Sequence, residues 1–180
     1  MRRHIFSLIV LFLVATGLPT GLFAQQGAAG SPLDKLSAYI GKWQSKGVTL
    51  DTPYSKAGTN GAETNCVWSQ NRGYMVCDQL VHTADGPSND LSIYTYNPTD
   101  NSFSFFGLSR NDAHARTPKL TIEGNLWTYS GGFDNKDGKH ISFRTVNDFK
   151  SRDLVTYVTE YSEDGQHWIQ MGSGSSTRIK

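Results

Sequence analysis

Beyond Gly41 the chain reads as short β-prone stretches separated by turn signals, with no amphipathic helix between them. That alternation restricts the fold more than any other feature. Expected strands span 43–49, 62–69, 73–81, 90–97, 102–108, 119–123, 126–131, 140–149, 154–162 and 167–178. Asp85-Gly86-Pro87, Asn97-Pro98-Thr99-Asp100-Asn101, Glu123-Gly124-Asn125, Asp137-Gly138 and Asp164-Gly165 punctuate them. Strands joined by tight turns without helical crossovers form an antiparallel meander. About ten strands in an open sheet would leave two bare edges, which closure into a barrel removes. A β-sandwich is the rival; its long Greek-key connections fit only the 50–61 and 109–118 loops. The expected fold is therefore all-β, an antiparallel up-and-down barrel of about ten strands.

Ahead of the strands, residues 31–41 predict one short helix. Ser31 can cap it, Pro32 suits its first turn and Gly41 can take a left-handed stop. Leu33, Leu36 and Ile40 share a face, so the helix has something larger to plug.

The N-terminus has the layout of a signal peptide over residues 1–24: a basic Met1-Arg2-Arg3-His4, an apolar core from Ile5 to Ala15 and a cut after Ala24. Its apolar run is shorter than the roughly 20 residues a membrane-spanning helix needs. Residues 25–31 form a Gly/Ala/Gln leader expected to be disordered, and residues 32–180 form the domain. These boundaries place the protein in the periplasm or outside the cell, with no membrane span after cleavage. Of 17 basic side chains, loss of Arg2 and Arg3 leaves 15 against 16 acidic ones. A near-neutral chain without a basic run gives no electrostatic reason to bind nucleic acid or anionic lipid.

The cysteines, Cys66 and Cys77, flank a Gln70-Asn71-Arg72-Gly73 turn on one expected hairpin. In an exported chain an even count points to a disulfide; a redox or metal role would need Cys-x-x-Cys spacing or a third thiol.

Alternation and side-chain size nominate residues to line a barrel cavity: Trp68, Tyr94, Tyr96, Phe106 and Tyr157. Not all of them can face inward. Arg144 and Glu160 fall on neighbouring strands and can pair. Facing inward they would give the cavity a polar anchor and, together with a tyrosine, groups for acid–base work; facing outward they form a surface ion pair.

Gly41-x-Trp43 at the first strand, after a helix and before a meander, resembles the calycin superfamily, the lipocalins and their relatives. The resemblance implies that Trp43 closes one end of the barrel with a basic side chain of the last strand over it, here Arg178. Four further elements resemble the bacterial lipocalin-like family known as domain of unknown function 1579. They are Cys66-Val67-Trp68-Ser69, Tyr94-Thr95-Tyr96-Asn97-Pro98, Ile122-Glu123-Gly124-Asn125-Leu126-Trp127 and the run from Tyr161 to Trp168. That family implies fold and export, and no catalytic residue.

Chemical motifs point elsewhere. There is no Gly-x-Ser-x-Gly, and Gly172-Ser173-Gly174-Ser175-Ser176 lacks phosphate-loop spacing. No histidine pair has zinc spacing. His167 matches by position the late-strand histidine with which some calycin relatives bind haem, but it adjoins a rim turn. Asp134-Asn135-Lys136-Asp137-Gly138 has a lysine where a calcium loop needs oxygen. No cofactor or metal is expected. Three functions remain in view: a barrel binding a small apolar or amphipathic ligand, a filled barrel acting through protein contacts, and an enzyme.

Overall fold

The computed structural model describes residues 30–84, 86–109 and 112–180, the side chains of 112–115 excepted. The expected signal peptide and residues 25–29 of the leader lie outside the described residues. Among the described residues eleven strands follow one helix: β1 (Gly41–Thr49), β2 (Gly58–Trp68), β3 (Met75–Thr83), β4 (Gly86–Asn97), β5 (Ser102–Ser109), β6 (Asp112–Arg116), β7 (Lys119–Glu123), β8 (Leu126–Asp134), β9 (His140–Ser151), β10 (Leu154–Ser162) and β11 (Ile169–Ile179).

Ten of them form a closed antiparallel up-and-down barrel, because β1 pairs with both β2 and β11, and β4–β5 pairing joins the remaining arc. The fold is the calycin-like one. Sequence reading found all ten barrel strands and missed β6, which pairs with β5 at Gly107↔Arg116 and Ser109↔Asp112. Its Asp-Ala-His-Ala-Arg sequence has no β-branched or aromatic residue. β6 takes up part of the β5 edge, so β7 pairs with β5 only at Phe103↔Leu120 and Ser104↔Lys119. This short seam is the thinnest part of the wall. β2 also begins earlier than expected, because the polar Gly58-Thr59-Asn60-Gly61 run continues its ladder with β1.

The helix, Pro32–Tyr39, is a 3₁₀ helix capped by the Ser31 hydroxyl, which accepts from the Leu33 amide at 3.1 Å. Leu33 and Leu36 are buried under the barrel end where β1 starts and β11 finishes. The aromatic core lies there too: Trp43, Trp127 and Phe149 surround the Tyr39 ring at 5.7, 5.2 and 5.2 Å between centroids. Trp43 is 1% exposed and donates its indole N–H to the Tyr39 carbonyl at 2.7 Å.

Over the outer side of Trp43 lies the Arg178 guanidinium, 4.2 Å from the ring centroid. It donates to the carbonyls of Ile40, Ala38 (3.0 Å) and Arg152 (2.9 Å) and to the Asp153 carboxylate (3.0 Å). One side chain thereby ties the helix end, β1 and the β9–β10 turn to the last strand. Gly41 makes room for it. Its φ is +116°, and a Cβ there would stand 2.7 Å from Arg178 Nη1. Gly41 thus follows the cap at Ile40 as the positive-φ residue that ends the helix, and is also the first residue of β1.

Cys66 and Cys77 are directly opposed on β2 and β3 and form a buried disulfide facing the interior. Closing so short a loop contributes about 2–3 kcal/mol.

Arg178→Lys keeps the charge but loses the planar fork that reaches several carbonyls at once. The expected cost is about 2 kcal/mol, read as a lower urea midpoint with an unchanged slope.

Candidate functional site

Inward and outward faces follow from the register. Trp43, Ser45, Gly47 and Thr49 of β1 face in, as do their partners Thr64, Ala62, Asn60 and Gly58. The same alternation around the barrel gives two interior zones. The helix end is aromatic and aliphatic. The middle and far end are lined by hydroxyls and amides from Ser45, Asn60, Gln79, Ser92, Thr145 and Asn147.

Two chambers occupy this polar part, each about 320 Å3, and both border Tyr39. The first lies against β4, β5 and β8. Tyr94, Phe105 and Tyr129 make one wall, edge to face at 5.0, 5.3 and 6.3 Å. Gln79, Ser92, Thr145 and Asn147 make the other, while Asp90 and Arg116 stand near the β4–β6 rim. The second lies against β1, β2 and β11 and has no charged residue in its lining. Tyr157 crosses it, donating its hydroxyl to Asn60 Oδ1 at 2.9 Å. The Gly-Ser-Gly run of β11 has its reason here: a Cβ on Gly174 would meet Tyr157 Oη at 2.5 Å and the Lys46 carbonyl at 2.4 Å.

Tyr39 enters from the helix and carries its hydroxyl to the floor between the chambers, where it accepts from Asn147 Nδ2 at 2.9 Å. Burial pushes the Tyr39 and Tyr129 phenols far above their ordinary range and Tyr94 up to about 12. All three therefore stay neutral at physiological pH.

At the far end the connection between β1 and β2 folds on itself through Thr52 and Ser55, whose hydroxyls lie 2.7 Å apart. It carries Tyr54 onto Phe133 (5.9 Å) and Tyr161 (4.9 Å). The Tyr54 hydroxyl donates to Glu163, which also binds Lys139 at 2.5 Å.

The structure separates the nominated residues. Tyr94 and Tyr157 line the chambers. Trp68 and Tyr96 are on the inward face but lie at the helix end, Trp68 under Arg72 and Tyr96 against Phe103. Phe106, Arg144 and Glu160 correct the sequence reading: all three are on the outer face. Phe106 pairs with Ile93 and is 43% exposed. Arg144 and Glu160 are directly opposed between inward Phe143–Tyr161 and Thr145–Thr159 pairs. Their ion pair, 2.5 Å, is covered by Trp168 with the guanidinium 4.1 Å from its ring. Neither polar group can anchor or turn over a molecule in the cavity. Trp43 and Arg178 sit together at the helix end, as described above.

His167 is on the rim turn, its side chain 85% exposed and bound through Nδ1 to Asp164 at 2.6 Å. In the 134–138 segment Asn135 Oδ1 accepts from the amides of Asp137 and Lys139, a side-chain-closed turn. Among the described residues no group of three or more His, Cys, Asp and Glu side chains could hold a metal ion. Nor is any described helix long and apolar enough to cross a membrane.

Sequence reading missed Tyr39, Gln79, Asn147 and Asn60. Tyr39 was within reach, since it lies next to Ile40 on the plug helix and two residues before Gly41.

A closed meander with a capped floor and an internal cavity defines a calycin-like barrel. Rv2717c from M. tuberculosis is similar in structure, with a TM-score of 0.55 at 13% identity, covering 83% of this chain and 98% of that one. An S-type phycobiliprotein lyase, CPES, from Guillardia theta is similar at a TM-score of 0.54 and 8% identity, covering 82% of this chain and 92% of that one. At such identities the likeness is one of fold. No protein-family model matches the chain, and no curated protein does.

The buried phenols fix the alkaline limit of the fold. Their raised values mean that stability is held below about pH 10 and lost above it, as the unfolded chain ionises first. Ultraviolet titration should find three of the eight tyrosines ionising only together with unfolding. The rim turn depends on pH in two directions. The His167 ring, then the His167 and Gln166 amides, hold the Asp164 carboxyl well below the usual range, and Asp164 raises His167 in return. The Asp164 contribution is lost as pH falls below the carboxylate range. The His167 contribution is present below about pH 6.5 and lost as pH rises through its raised value. His167→Gln should abolish the decline in amide protection of residues 164–168 on the alkaline side and weaken the acid-side decline, which the His167 and Gln166 backbone amides still support.

Proposed function

We propose that this protein is an exported lipocalin-like barrel that holds a small amphipathic molecule in its interior. The observation that carries the reading is the pair of chambers, each about 320 Å3, inside the size range of small-molecule sites. An aromatic floor and wall facing hydroxyls and amides suit a ligand with an apolar body and polar groups. Export rests on the N-terminal signal pattern and is supported by the Cys66–Cys77 disulfide, a bond that persists in oxidising compartments. The Tyr161–Trp168 run and the three other sequence elements support placing the chain with the uncharacterised family 1579.

A filled barrel working through protein contacts has the cavity against it. An enzyme relying on Arg144 and Glu160 has their outward direction against it.

Native mass spectrometry of protein purified from its own host tests the reading. The expected result is a complex heavier than the mature chain that sheds a small molecule on denaturation. A bare mature mass, together with no uptake from a mixed extract of small host metabolites, would overturn it. The mature mass also reports whether residues 1–24 have been removed.

A further inference from the structure

If the barrel holds a ligand, as proposed above, the chamber chemistry restricts what that ligand can be. The second chamber has no ionisable side chain except the phenols of Tyr39 and Tyr157, and the first keeps Asp90 and Arg116 at its rim. A carboxylate or ammonium taken to the floor would lose its hydration without gaining a counter-charge, which is strongly unfavourable. An aliphatic tail would leave the remaining lone pairs and protons of Gln79, Ser92, Thr145 and Asn147, beyond the bonds they make to one another and to neighbours, without partners.

The other wall is aromatic. Tyr94, Phe105 and Tyr129 meet edge to face and offer ring surface to a flat partner. Between the walls stands the Tyr39 hydroxyl. It accepts from Asn147, and among the described residues no acceptor takes its own proton. A buried hydroxyl with a spare donor, directed at the junction of two chambers, is the group that an entering oxygen would satisfy.

We propose that the ligand is an uncharged planar aromatic bearing a carbonyl oxygen, with its ring against Tyr94, Phe105 and Tyr129 and that oxygen accepting from Tyr39. Fatty acids and organic ammonium ions are thereby disfavoured. Tyr39, supplied by the plug helix rather than the barrel, is the specificity-determining residue.

Three probes test this on the mature chain: 7-methoxycoumarin, 2-methoxynaphthalene (a similar ring system without the lactone carbonyl) and laurate. Titration calorimetry should give one coumarin per chain, with affinity unchanged between low and high salt. Tyr39→Phe, which keeps the ring and the packing, should weaken coumarin by about tenfold and leave methoxynaphthalene unchanged. Laurate should fail to displace coumarin. Equal losses for both aromatic probes in Tyr39→Phe, or no loss for either, would overturn the assignment of Tyr39. Laurate binding more tightly than coumarin, and blocked by the chamber-filling Thr145→Trp, would overturn the ligand class while leaving the binding cavity intact. Failure of all three probes to bind would overturn the cavity reading itself, and this inference with it.

Discussion

The Arg178 guanidinium over Trp43 is the interaction on which the rest of the structure depends. A meander can curl into a tube only if its first and last strands meet, and β1 and β11 pair from Lys42↔Ile179 to Thr49↔Gly172. At the end of that pairing Arg178 supplies donors to carbonyls of the helix and of the β9–β10 turn, where water would otherwise be needed. Held there, Trp43 presents its other face to Tyr39 and Phe149. The helix is then fixed in place, with Tyr39 inserted into the barrel. The position of the candidate ligand's donor is thus set by an interaction on the outside of the closed end.

Polarity inside the barrel follows from the same arrangement. Large aromatics fill the closed end, so the strands there need no solvent. Further along, glycines at 47, 172 and 174 remove side chains, and Tyr157 lies across part of the space they leave. The remaining volume is bounded by hydroxyls and amides that bond one another, as in the Ser45–Ser176 pair at 2.7 Å and the Thr145–Thr159 pair at 3.1 Å. Among the described residues no buried side-chain nitrogen or oxygen lacks a hydrogen-bond partner. Such a wall is stable when empty and still has lone pairs and protons to offer.

Turn chemistry made the strand count legible, because Asp-Gly, Glu-Gly-Asn and Asn-Pro signals mark turns whatever the strands contain. The direction of each face was much less so. On β9, Phe143, Thr145 and Asn147 point in while Ser142, Arg144 and Val146 point out, and neither set is purely apolar. With a polar cavity inside and apolar residues outside, alternation loses its usual sign, and Arg144 and Glu160 could be paired from sequence but not assigned a side. β6 was invisible for another reason: it is a strand by backbone pairing alone. Tyr39 looked like an ordinary helix residue, since its role depends on where the helix docks.

The β5–β7 seam has a geometric consequence. At the closed end ten strands complete the circle, whereas further up β6 is hydrogen-bonded to β5 and the ladder between β7 and β8 ends at Lys119↔Ser130. A tube's girth is fixed by how many ribbons are laced round it. This one is laced all the way round below and unlaced along one side above, so the β7–β8 arm there is tied into the wall through β9 alone.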